Sequence, residues 1–291
     1  MIPPDHAPAF LAAHGWGDAR ILPLAGDASF RRYFRVVGER RQAVLMDAPP
    51  PHEDPRPFMA VAEWLCEQGM RVEFYAGVTD LLVHLHARPA MPGLPVHGIE
   101  QWLDEVMLFT DWYCPALDLA VDRDGFRAAW QTALAPVEQD GLPRVTVLRD
   151  FHAENIMLVD GRSGIEHFGL LDFQDALVGH PAYDLASVLE DARRDVTPAV
   201  EAAMLDRYVA ATGQGTAFRA AYWALAAQRN TRILGVFVRL WKRDGKPGYR
   251  QFQPRMWGLL ERDLAHPALA PVKKWFDDNV PAAKRAAAWS E

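Results

Sequence analysis

The rhythm of apolar and polar positions changes about a quarter of the way along the chain. Before residue 50, short runs rich in β-branched and aromatic residues (19–24, 30–37 and 43–46) are separated by turn-like polar stretches such as Gly26-Asp27-Ala28-Ser29. That pattern predicts a small meander of three strands. A proline-rich loop covers 49–55. Phe58, Val61, Ala62, Leu65 and Cys66 then recur at helical spacing, with Gly69 placed to end the helix. Beyond Gly69 the rhythm is mostly helical. Leu81, Leu82 and Leu85 start it, prolines break it over 89–95, and amphipathic helices are expected over 99–117 and 126–137. Residues 145–148 read as a buried strand. Residues 155–160 and 167–173 read as a hairpin around Asp160-Gly161-Arg162-Ser163-Gly164. Helices follow over 183–194, 198–211, 217–243 and 255–264, and 271–288 is weakly amphipathic. The expected class is α+β with two lobes: a small β-rich lobe over 1–72 and a larger helical lobe over 73–291.

Composition narrows what such a chain can do. Half of its 291 residues are hydrophobic and 24% are charged, which excludes disorder as the main state. A net charge of −7 argues against a nucleic-acid partner held by bulk charge. The two cysteines, Cys66 and Cys114, form neither a metal spacing nor a disulfide framework, so a reducing, cytoplasmic setting fits. The first residues, Met1-Ile2-Pro3-Pro4-Asp5-His6, lack the basic and apolar regions of a signal peptide, and no apolar run reaches the roughly 18 residues of a membrane span. Oligomeric state is not legible.

The chemistry concentrates in Val147-Leu148-Arg149-Asp150-Phe151-His152-Ala153-Glu154-Asn155-Ile156, together with Leu170-Leu171-Asp172-Phe173. An apolar strand delivers Asp150 into a loop, Asn155 leaves it, and Asp172 ends the second hairpin strand. Three oxygen-bearing side chains should meet at one end of the hairpin. Phosphoryl transfer needs that set: one carboxylate to orient a hydroxyl and take its proton, an amide and a second carboxylate to hold Mg²⁺ against nucleotide phosphates. The D-x-x-x-x-N spacing matches a kinase catalytic loop, and Asp172-Phe173 stands where D-F-G stands. Each piece alone occurs by chance; their order and flanking strands do not favour chance.

With Gly179-His180-Pro181-Ala182-Tyr183-Asp184-Leu185-Ala186 following, the chain resembles the aminoglycoside phosphotransferase and choline kinase group of small-molecule kinases. Leu24-Ala25-Gly26-Asp27-Ala28-Ser29-Phe30-Arg31-Arg32-Tyr33-Phe34, Val44 through Pro50, and Phe109-Thr110-Asp111-Trp112-Tyr113 are most similar to the bacterial anomeric N-acetylmuramate/N-acetylglucosamine kinases of cell-wall recycling. The resemblance implies a two-lobed, protein-kinase-like fold and an ATP- and Mg²⁺-dependent phosphotransferase acting on a sugar or amino-sugar hydroxyl. It places the catalytic base on Asp150 and metal ligands on Asn155 and Asp172, and gives Asp184 a structural role in holding the loop. It makes Gly26, Asp27 and Ser29 part of a phosphate-covering loop, though an ordinary hairpin turn would read the same. His152 could position Asp150, touch substrate or be purely structural.

The family pattern is broken in two places. Met46 stands where kinase-like folds carry a strand-three lysine, and Arg31 or Arg32 could supply the missing charge. After Gly69, about thirty residues of the pattern, two strands and the adenine-binding hinge, have no counterpart. Either the chain has lost them, leaving the adenine site incomplete, or the sequence as read omits a segment. On the acceptor side, helix 217–243 bears Arg219, Arg229, Arg232, Arg239, Lys242 and Arg243 and no acid, which favours an anionic or neutral sugar over a polycation. Arg229, Asn230 and Asp111 are candidate substrate contacts, each also readable as solvated or packed. The alternatives are an aminoglycoside or other hydroxyl phosphotransferase, and a nucleotide-binding pseudokinase.

Overall fold

The computed structural model describes residues 3–4, 7–13, 15–23, 32–38, 42–47 and 70–289. The chain divides into two compact units, Met1–Gln68 and Gly69–Glu291. In the first, helix α1 (Ala7–Ala13), which the sequence pattern did not predict, buries Ala7 and Leu11. Strands β1 (Arg20–Pro23), β2 (Arg32–Val37) and β3 (Gln42–Asp47) form an antiparallel sheet in that order, the expected meander. Phe34 and Val36, two apart and therefore on one face, are fully buried. The candidate residues Gly26, Asp27, Ser29 and Arg31, and the helix expected over 58–66, lie outside the described residues. Arg32 opens β2 in register with Asp47, the neighbour of Met46.

The second unit is helical around two small strand pairs. Helix α2 (Met70–His86) begins eleven residues earlier than Leu81 suggests, directly after Gly69. Helix α3 (Ile99–Leu108) passes into a π-helical turn, Phe109–Tyr113, and a last α turn, Cys114–Ala116. Helix α4 (Arg123–Glu138) is capped by Asp122, whose carboxylate accepts the Gly125 N–H at 2.9 Å. Strand β4 (Val145–Val147) leads to the hairpin β5 (Ile156–Leu158) and β6 (Phe168–Leu170). Strand β7 (Leu177–Gly179), too short to show in the pattern, pairs antiparallel with β4. Helices α5 (Ala182–Leu189), α6 (Pro198–Thr212), α7 (Thr216–Lys242), α8 (Gln253–Asp263) and α9 (Ala270–Asn279) complete the unit.

Helix α7 is buried on all sides from Ala224 to Thr231, which makes it the axis around which α3, α5 and α8 pack. Its approach to α3 is a backbone contact. A Cβ on Gly235 would lie 2.4 Å from the carbonyl of Leu108 and 2.7 Å from the nitrogen of Phe109, at the point where α3 becomes π-helical. Just beyond, the buried Tyr113 hydroxyl donates to the Lys284 carbonyl (2.6 Å) and accepts from the indole N–H groups of Trp257 and Trp289, both at 2.8 Å. This ties residues 257, 284 and 289 to the turn at 113. Because no flexible side chain can yield to a Cβ at position 235, Gly235→Ala should lower stability by at least about 1–3 kcal/mol, measured as a reduced urea midpoint with unchanged slope.

Candidate active site

The loop after β4 is shaped by a carboxylate from the next helix. His180 is buried; its Nδ1 accepts the Ala182 N–H (3.1 Å) and its Nε2 bonds Asp140 (2.8 Å), fixing the start of α5. The first turn of α5 then places Asp184, with no solvent exposure, under the loop. Its two oxygens accept the backbone N–H groups of Leu148 (2.6 Å) and Arg149 (2.9 Å), the structural role the resemblance implies. Burial pushes the Asp184 carboxyl up to about 7, against the pull of those two donors. Arg149 adopts φ +69°, a left-handed conformation costing a non-glycine residue about 1–2 kcal/mol. Three groups hold it there: Asp184 on its N–H, the Ser187 hydroxyl on its carbonyl (3.2 Å) and Glu105 on its guanidinium (2.9 Å). The twist turns the chain at Asp150.

Asn155 joins the three oxygen-bearing residues. Its Nδ2 donates to the Asp150 carbonyl at 2.9 Å and lies 3.5 Å from Asp172 Oδ2. Since a carbonyl can only accept, the amide orientation is fixed, and Oδ1 is turned away from that carbonyl. The hairpin carries one further bond past its ladder, Leu171 N–H to the Asn155 carbonyl at 2.9 Å, which sets Asp172 beside Asn155. Asp172 is itself left-handed, φ +56°, and accepts from Gln174 Nε2 at 2.7 Å. His152 Nε2 is 3.3 Å from Asn155 Nδ2, so it faces a donor and the ring proton belongs on Nδ1, which is buried without a partner. Burial lowers the His152 pKa, keeping the ring neutral.

Behind the loop stands Glu105, which the sequence reading missed. It accepts from His97 (3.2 Å), Arg149 (2.9 Å) and Gln228 (3.1 Å), and Arg232 lies 3.7 Å away. Burial alone would raise its pKa, but the His97 bond and the charges of Arg232 and Arg149 hold it at about 2. An acid next to buried Val106 and three residues from buried Trp102, on the core-facing side of an amphipathic helix, was the signal available. Of the acceptor-side candidates, Arg229 is buried under the loop and donates to the Glu190 carbonyl at 3.3 Å. Asn230 is fully buried, bonded to Glu190 (2.5 Å) and Asp263 (2.8 Å), and does not reach the loop surface. Asp111, in the π turn, pairs with Arg123 at 2.6 Å rather than with any loop residue. Asp191, also missed, accepts the Ala153 N–H at 3.3 Å and so holds the loop from its far end.

The sequence matches the Phosphotransferase enzyme family over residues 20–106 and 71–222. It is 36% identical to an N-acetylmuramate/N-acetylglucosamine kinase of Caulobacter vibrioides, over 95% of this chain and 96% of that one. The chain belongs to the phosphotransferase enzyme family. A second relative with the same name, from Pseudomonas aeruginosa, is 33% identical over 91% of each chain. Among solved structures, a choline/ethanolamine kinase family protein of Mesorhizobium loti superposes with a TM-score of 0.50 at 16% identity, covering 93% of this chain and 99% of that one. The fold is thus the kinase-like one the resemblance implied, and this phosphotransferase is an ATP-using kinase with a hydroxyl acceptor. The Caulobacter alignment runs to 352 positions, longer than the 291 residues here, so that relative carries segments with no counterpart in this phosphotransferase.

Beneath the loop, Glu190, Glu201 and Asp263 share one guanidinium and one amide. Arg262 reaches Glu190 (3.1 Å) and Glu201 (2.7 Å), Asn230 bridges Glu190 and Asp263, and the Tyr222 hydroxyl donates to Glu201 (2.7 Å). Burial, then the charge of Glu190, pushes the Glu201 carboxyl up to about 8. A carboxyl raised above its unfolded value of about 4.3 stabilises the fold fully on the acid side and loses that contribution as pH rises through the folded value. The phosphotransferase should therefore lose stability to urea as pH climbs from about 5 to about 9, with Asp184 adding in the same direction. Glu201→Gln should flatten the slope.

Proposed function

We propose that this phosphotransferase transfers the γ-phosphate of ATP to N-acetylmuramate and N-acetylglucosamine, at the anomeric hydroxyl, in a cytoplasmic setting. The observation that carries the reading is the Asn155 amide, bonded at once to the Asp150 carbonyl and to the Asp172 carboxylate. The names of the relatives supply the acceptor.

Each residue has a stated task. Asp150, fixed by the Asp184-held loop, accepts a hydrogen bond from the acceptor hydroxyl and takes its proton as that oxygen attacks phosphorus in line. Asn155 Oδ1 and an Asp172 oxygen are hard ligands suited to Mg²⁺, which binds through one or two carboxylates plus phosphates and water rather than through an all-protein cage. Bound there, Mg²⁺ would neutralise charge on the nucleotide phosphates. The neutral His152 positions Asn155 and is not a proton carrier. Arg32, in register with Asp47 beside Met46, is our candidate for the charge a strand-three lysine supplies elsewhere. Gly26, Asp27 and Ser29 are our candidates for the phosphate-covering loop and Arg31 is the alternative source of that charge; all four lie outside the described residues.

ADP release with ATP and Mg²⁺ should occur with either amino sugar and not with kanamycin or choline. Asp150→Asn should lower kcat by about 10²–10⁴-fold with little change in KM. Turnover on kanamycin or choline alone would overturn the acceptor; ATP binding without turnover on any acceptor would favour the pseudokinase. Asp172→Asn should raise the Mg²⁺ concentration for half-maximal rate, and an unchanged Mg²⁺ dependence would remove Asp172 from the metal site.

A further inference from the structure

Helix α7 and its C-cap residue carry six cations, Arg219, Arg229, Arg232, Arg239, Lys242 and Arg243, and no acid lies between 216 and 243. Most are occupied. Arg219 pairs with Asp206 (2.5 Å), Arg229 is buried under the catalytic loop, Lys242 sits 3.9 Å over the Trp241 ring, and Arg243 is bonded to both oxygens of Asp244 at 2.7 and 3.0 Å. Arg239 is different. Its Nε is sealed from solvent without a hydrogen-bond partner, and among the described residues no carboxylate lies within ion-pair distance of it. Asp244, the acid that acts on it, is already engaged by Arg243.

Arg239 follows Arg232 by seven residues, two helical turns, so both lie on one face about 10 Å apart along the axis. Arg232 is in turn within electrostatic reach of Tyr183, Glu105 and Asp150, with a long 3.7 Å contact to Glu105. Positive charge therefore extends along α7 from the neighbourhood of Asp150. Burial and repulsion from Arg243 and Arg232 both disfavour the charged form of Arg239, a cost that an anion would relieve. A guanidinium suits a carboxylate, which it can meet with two parallel N–H bonds.

We propose that Arg239, with Arg232, forms a subsite for the carboxylate of an anionic amino-sugar acceptor, so that Arg239 sets the preference for a carboxylate-bearing sugar over a neutral one. The inference rests on the acceptor reading above. N-acetylmuramate carries a carboxylate and N-acetylglucosamine does not, so the pair isolates that group.

The test measures kcat/KM for both sugars in the wild type, Arg239→Gln and Arg239→Glu. The ratio of N-acetylmuramate to N-acetylglucosamine should fall about tenfold in R239Q and further in R239E, through KM for the anionic sugar, with KM for ATP unmoved. An unchanged ratio, an equal loss on both sugars, or a rise in KM for ATP would overturn the subsite while leaving the kinase reading intact. If the wild type turns over neither sugar, the acceptor reading fails first. Calorimetric titration of N-acetylmuramate into wild type and R239Q then decides: equal affinity, or no binding to either, overturns the subsite.

Discussion

The buried carboxylate of Asp184 is the constraint on which the site depends. It satisfies two backbone N–H groups that no strand or helix could reach, and each would cost about 1–3 kcal/mol if left buried and unpaired. That is enough to hold Arg149 in a left-handed conformation, and the Arg149 twist is what presents Asp150. Asn155 and Asp172 are then aligned through backbone bonds of the hairpin, not through side-chain packing alone. The catalytic geometry is therefore built mainly from main-chain hydrogen bonds anchored to one helix start.

Two glutamates near the loop show how environment divides one chemistry. Glu105 faces His97, Arg149 and Arg232 and stays ionised down to about pH 2. Glu201, more fully buried and beside Glu190, holds its proton up to about 8. The first fixes two arginines with full charge; the second relieves repulsion by carrying a proton. A burial penalty acts on both; the bond from His97 and the charges of Arg232 and Arg149 overcome it at Glu105, and the charge of Glu190 adds to it at Glu201.

The sequence made the order of the catalytic loop legible because D-x-x-x-x-N and the following aspartate are local. The hairpin and the long helix around Arg229 were legible for the same reason, since their periodicity needs no distant partner. Helix α1 and strand β7 were not. Seven and three residues are too few to carry a period, and β7 exists because β4 offers it a ladder. Asn230 illustrates a different limit: a polar residue beside a candidate arginine reads as a binding group, yet its partners, Glu190 and Asp263, are 40 and 33 positions away. Glu105 was hidden by the same distance, because its meaning comes from Arg149 and Arg232.

The Tyr113 hydroxyl has a consequence for how the larger unit is made. Its hydrogen-bond partners are Trp257, Lys284 and Trp289, so a buried group at position 113 is completed by residues 144, 171 and 176 positions later. During synthesis, the aromatic layer beneath the π turn stays open until the last of these has emerged from the ribosome. The α3–α7 contact at Gly235 can form earlier, but the unit seals only once residue 289 is available.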